Sequence, residues 1–164
     1  MESTNLFSTR RINKPDTTSS EIIYRGQPTG LILEGLILEQ QFACKNGYLL
    51  LLTDDCPFEE GLHIHLLNFE LQHLDTINMG KAYLPGMLQN VTSSNETLNF
   101  SFFGDDSWQL RVLQQPRFRI SPYSGSWATF FFPLHRPLRF AFKPNYLRLE
   151  GTVYSKYGVL RFSF

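Results

Sequence analysis

Leu98-Asn99-Phe100-Ser101-Phe102, then the turn-forming run Gly104-Asp105-Asp106-Ser107, then Trp108-Gln109-Leu110-Arg111-Val112, is the stretch on which the fold turns. Side chains on a strand point alternately to opposite faces. Leu98, Phe100 and Phe102 therefore share one face, with Asn99 and Ser101 on the other. Trp108, Leu110 and Val112 repeat the pattern against Gln109 and Arg111. Two alternating runs joined by turn residues describe an antiparallel hairpin laid on a core. The same arrangement returns at the C-terminal end. There Leu160, Phe162 and Phe164 alternate with Arg161 and Ser163. Ser155–Gly158 forms a plausible turn joining them to Gly151–Tyr154.

Working back toward the N-terminus, Leu31-Ile-Leu-Glu-Gly-Leu-Ile-Leu-Glu39 carries Gly35 at its middle. A helix there would lose about 1 kcal/mol to that glycine, so a strand is the better reading. Asn46-Gly47 supplies a hairpin turn before the apolar run Tyr48–Thr53. Asp54–Gly61 is an acidic loop, and Leu62–Leu67 resumes a strand. Leu62, Ile64 and Leu66 lie on its core face, and His63 and His65 are expected on its solvent face. Phe69–Ile77 predicts a further strand and Gly80–Gly86 a loop. Pro116, Pro122, Pro133, Pro137 and Pro144 predict short edge strands and loops over residues 116–144, because proline cannot donate to a sheet ladder. Residues 1–20 are rich in Ser and Thr and lack an apolar period, which predicts a flexible N-terminal tail. Residues 21–164 are expected to form one all-β domain, a single antiparallel β-sandwich or partly open β-barrel.

The chain has 164 residues, 42% hydrophobic and only 18% charged, which favours a buried core over disorder. Aromatic residues reach 15%, in keeping with strands. No apolar run approaches the ~20 residues needed to span a bilayer, and Met1–Ser20 lacks an apolar leader. A cytoplasmic protein without a membrane span is the expectation. Asn90, Asn95 and Asn99 each begin an Asn-x-Ser/Thr triplet, read here as polar turn sequence. Cys44 and Cys56 are expected as free thiols in that compartment, with a disulfide across a turn as the alternative.

The formal charge is zero but divided. Residues 26–106 carry eleven acids and two bases, a net of −9; residues 107–164 carry nine bases and one acid, a net of +8. In one reading, acidic and basic strands pair within the domain. In the other, the halves form separate faces and drive salt-sensitive homo-oligomer formation. With a Debye length of ~8 Å, only closely opposed faces would gain from it.

The sharpest chemical pattern is His63-Ile-His65, followed by Glu70. Both imidazoles leave the strand on one side, and two His with one carboxylate can hold a divalent transition metal with open positions. Glu70 reaches that side only past a turn or bulge near Asn68. The run His63–Glu70 resembles the first motif of the cupin family. The resemblance implies a metal held by His63, His65 and Glu70 with a later His, in a metal-binding protein or metal-dependent enzyme.

The other patterns carry less chemistry. Asp54, Asp55, Glu59 and Glu60 lack the alternating ligands of an EF-hand and read as a solvated loop. No G-x-S-x-G elbow or phosphate-binding glycine run is present. Arg111, Arg117, Arg119, Arg136 and Arg139 could form an anion-binding face. Fourteen of the twenty-four aromatics fall in this basic half, yet the pI near 6.9 and the missing RNA-binding signature weigh against nucleic acid. The leading expectation is a non-catalytic cytoplasmic binding or assembly module with an unknown protein or small-molecule partner and no cofactor. The cupin-like metal site and the anion-binding face are the alternatives.

Overall fold

A computed structural model describes residues 1–12, 18–56, 58–80, 85–104, 106–122, 140–155 and 158–163. They form the strands β1 (Glu2–Ser3), β2 (Phe7–Arg11), β3 (Ser19–Tyr24), β4 (Gln27–Glu34), β5 (Ile37–Cys44), β6 (Gly47–Thr53), β7 (Leu62–Leu67), β8 (His73–Met79), β9 (Gln89–Ser94), β10 (Thr97–Ser101), β11 (Asp106–Pro122), β12 (Phe140–Ser155) and β13 (Gly158–Ser163). Among the described residues no helix is long and apolar enough to cross a membrane.

The strands build three antiparallel sheets, ordered β1-β5-β6-β7-β8, β13-β12-β11-β10-β9 and β2-β3-β4. The first sheet is the middle layer of a sandwich. One of its faces carries Leu49, Leu51, Leu62, Ile64 and Leu66, which join Leu98, Phe100, Trp108, Leu110, Val112, Leu147 and Leu149 of the second sheet in one buried cluster. Its other face carries Leu50, Leu52 and Leu67, which pack with Phe7, Ile22 and Leu33 of the third sheet. This double burial explains why β6 is apolar at every position from Tyr48 to Leu52: a strand covered on both faces has no solvent side to mark.

The third sheet changes two expectations. The face of β7 expected to meet solvent is covered, and His65 is only 2% exposed. Alternation separates the two faces of a strand but does not reveal whether a further layer covers the second. Within the expected N-terminal tail, β1 pairs with β5 and β2 with β3, and Phe7 is 5% exposed. The Gln41 amide holds this arm: its Oε1 accepts the N–H groups of Leu6 and Phe7 at 2.8 Å, and its Nε2 donates to Phe7 O at 3.0 Å.

The proline-rich stretch also differs from the expected short strands. β11 runs through Pro116 and ends at Pro122, and β12 runs through Pro144. Pro116 falls in a register shift between Val112 and Arg117, where the regular ladder is interrupted and its missing donor is tolerated. Pro133 and Pro137 lie outside the described residues. The expected hairpins Leu98–Val112 and Gly151–Phe164 are present as β10–β11 and β12–β13, with residues 156, 157 and 164 outside the described residues.

Candidate functional site

At one end of the middle sheet, β6 runs into the loop Asp54–Gly61 and β7 leaves it. Glu60 organises this loop. Its Oε1 accepts the N–H of Asp54 at 2.6 Å and of Asp55 at 3.0 Å, and its Oε2 accepts that of Cys56 at 3.0 Å. Beside the loop, His63 Nε2 lies 2.9 Å from Asp54 Oδ1, and Nδ1 lies 3.2 Å from Asn78 Oδ1. Asn78 in turn donates to Glu34 Oε2 at 2.8 Å. A cleft of about 420 Å³ opens here, lined by Asp54, Glu59, Gly61, His63, Asn78, Met79 and Gly80.

His65, one pleat deeper, is enclosed. Its Nε2 donates to Glu34 O and its Nδ1 meets Thr76 Oγ1, both at 2.9 Å. Burial pushes the imidazole down to about 4, with the neighbouring His73 and His63 adding to the effect against the Glu34 carbonyl. His65 is thus a neutral, hydrogen-bonded ring in the interior.

The histidines leave the strand on one side, and the chain turns at Asn68–Gln72 as a metal site would require. Glu70 nevertheless sits exposed in that turn. His63 and His65 each have both ring nitrogens within hydrogen-bond distance of protein groups. Among the described residues, no three His, Cys, Asp or Glu side chains converge as a metal ion would need. His63, His65 and Glu70 are not brought together.

The arginines divide in the same way. Arg111 and Arg117 are exposed on β11. Arg111 stands in register with Arg148 of β12, and Arg119 with Lys143. Arg148 also pairs with Glu150 at 2.7 Å. Arg136 and Arg139 lie outside the described residues. Asp106 performs turn chemistry: it accepts the N–H of Phe102 at 2.7 Å, that of Phe103 at 2.9 Å, and the indole N–H of Trp108.

A second, larger cleft of about 520 Å³ lies on the other side of the acidic loop, where the middle and second sheets part. Glu39, Thr53 and Glu60 line it from the middle sheet and its loop; Pro85, Gly86, Met87, Leu88, Gln89, Phe102 and Gly104 line it opposite. Gly86 lies flat on the Phe102 ring, where an added Cβ would stand 2.4 Å from two ring carbons. Met87 N donates to Phe102 O at 2.8 Å, and the Met87 side chain is 66% exposed. No motif joins these residues, which the sequence shows only as members of separate strands, turns and loops. The one available signal was a methionine directly after Pro85-Gly86.

Comparison with protein-family models, with curated proteins and with solved structures finds no match.

Proposed function

We propose that this chain is a non-catalytic binding module whose ligand seat is the larger cleft. The observation that carries the reading is the cleft itself: about 520 Å³ between two sheets, with a polar wall facing a mainly apolar one. Small-ligand sites commonly occupy ~300–1,000 Å³ and combine such walls. A cytoplasmic setting belongs to the same reading and is supported by the free thiols of Cys44 and Cys56, since a reducing compartment leaves cysteines unpaired. A fragment screen followed by NMR tests the reading. Hits should perturb Thr53, Met87, Leu88 and Phe102 together. Hits scattered over the surface, or none, would remove it.

A second reading has its own support. Arg111 opposite Arg148 places two like charges in register on the second sheet, and Glu150 pairs with Arg148 but leaves Arg111 exposed. Such pairs repel unless something neutralises them. We propose an anionic partner for this face as the alternative. Retention on a heparin column that drops in an Arg111→Glu, Arg117→Glu variant supports it; unchanged retention counts against it.

A further inference from the structure

We infer that the larger cleft selects an organic cation, a protonated amine carried on an apolar body; this rests on the binding reading above. The two walls ask for different chemistry. On the polar wall stand Glu39 and Glu60, and no Lys or Arg lines the cleft among the described residues. Glu60 already accepts three backbone N–H groups, which balance much of its charge locally. Glu39 is different. Thr53 Oγ1 donates to its Oε1 at 3.0 Å and so fixes the carboxylate at the cleft wall. A carboxylate has about four acceptor sites, so Glu39 keeps capacity for a ligand donor.

On the mainly apolar wall, Pro85, Met87, Leu88 and Phe102 present hydrocarbon, and the Gln89 amide donates to Met87 Sδ at 3.0 Å. Met87 is flexible and polarisable, which lets one wall fit bodies of different shape. An anionic ligand would meet two carboxylates with no base among the described lining residues. A neutral apolar ligand would take water from Glu39 and offer it no donor beyond the Thr53 hydroxyl, and desolvating a charge is costly. A cation on an apolar body satisfies both walls.

The probe is cyclohexylmethylammonium, compared with cyclohexylmethanol and cyclohexanecarboxylate. Methionine methyl NMR reads the site, because the chain has three methionines and Met87 alone lines this cleft. The ammonium should shift the Met87 methyl saturably, and high salt should weaken it. The alcohol and the carboxylate should bind at least about tenfold more weakly, as should the ammonium to Glu39→Gln, the factor expected when a charge-assisted bond is lost. Glu39 is exposed on β5, so this variant is expected to melt like wild type. If the alcohol or carboxylate moves Met87 as tightly as the ammonium, the cleft binds but the cation inference falls. If no probe moves Met87, the inference falls together with the cleft as ligand seat. If Met87 shifts on simple dilution of the protein, a second copy occupies the cleft and the inference is overturned.

Discussion

Asp75 of β8 accepts the backbone N–H of Leu147 in β12 at 2.9 Å, through the same Oδ2 that accepts the N–H of Tyr146 at 2.7 Å. The carboxylate is only 4% exposed. It thereby ties an edge of the middle sheet to the second sheet near the register shift that separates Val112 from Arg117. Two donors that the irregular ladder would leave unpaired are met from another layer.

Asp75→Ala should therefore destabilise the fold by about 3 kcal/mol, since it leaves one buried and one part-buried donor unsatisfied and a buried one costs ~1–3 kcal/mol. Asp75→Asn keeps an acceptor oxygen and should lose less. Urea unfolding of the three proteins checks the order. Equal stability of Asp75→Ala and wild type would show that the two sheets do not depend on this tie.

This contact also marks where sequence reading stops. Alternation placed Leu98–Phe102 and Trp108–Val112 correctly, because each has one face in a core and the period records it, whereas in Leu62–Leu67 it separated two faces that are both covered. The unbroken apolar run of β6 carries no period, and the polar arm Phe7–Arg11 buries Phe7 alone among its residues. The third sheet followed from neither. The histidines were visible as a pair, but the covering of His65 by Glu34 depends on a contact far away in the chain. The larger cleft joins residues 39, 53, 60 and 85–104, a juxtaposition that no local pattern encodes.

His65 makes the fold sensitive to acid. Burial lowers its folded-state value from 6.5 to about 4. Between those values the unfolded chain binds a proton that the folded protein refuses, so stability rises with pH. The contribution is present in full above about pH 6.5 and is lost as pH falls, the loss complete below about pH 4. At 1.36 kcal/mol per unit this amounts to about 3 kcal/mol. Urea titrations across this window should show the slope, and His65→Gln should flatten it. An unchanged slope in that variant would assign the acid sensitivity to groups other than His65.

The two thiols should separate cleanly in a reaction with a disulfide reagent. Cys56 is exposed in the acidic loop, while Cys44 is buried. Burial, aided by the Glu96 carboxylate, pushes the Cys44 thiol up to about 12. Only the thiolate attacks. Native protein should thus titrate one thiol per chain, and Cys56→Ser should titrate none until denaturant is added. A rapid second thiol in the native protein would mean that the core around Phe42 and Cys44 opens readily.

Trp108 and Gly151 face each other across β11 and β12. A Cβ on Gly151 would lie 2.0 Å from Trp108 Cε3, so the indole occupies the volume that any other residue would need. The indole N–H is meanwhile held by Asp106, and the ring cannot simply turn away without breaking that bond. Gly151→Ala should cost about 1–3 kcal/mol through overpacking. Trp108→Leu in the same chain removes the clash together with much of the indole's packing. The double variant should be more stable than the sum of the two single losses predicts, because the residues share one space. Thermal melts of the four proteins measure this coupling. Additive losses would mean that the sheet shifts to admit the methyl group and leaves Trp108 in place.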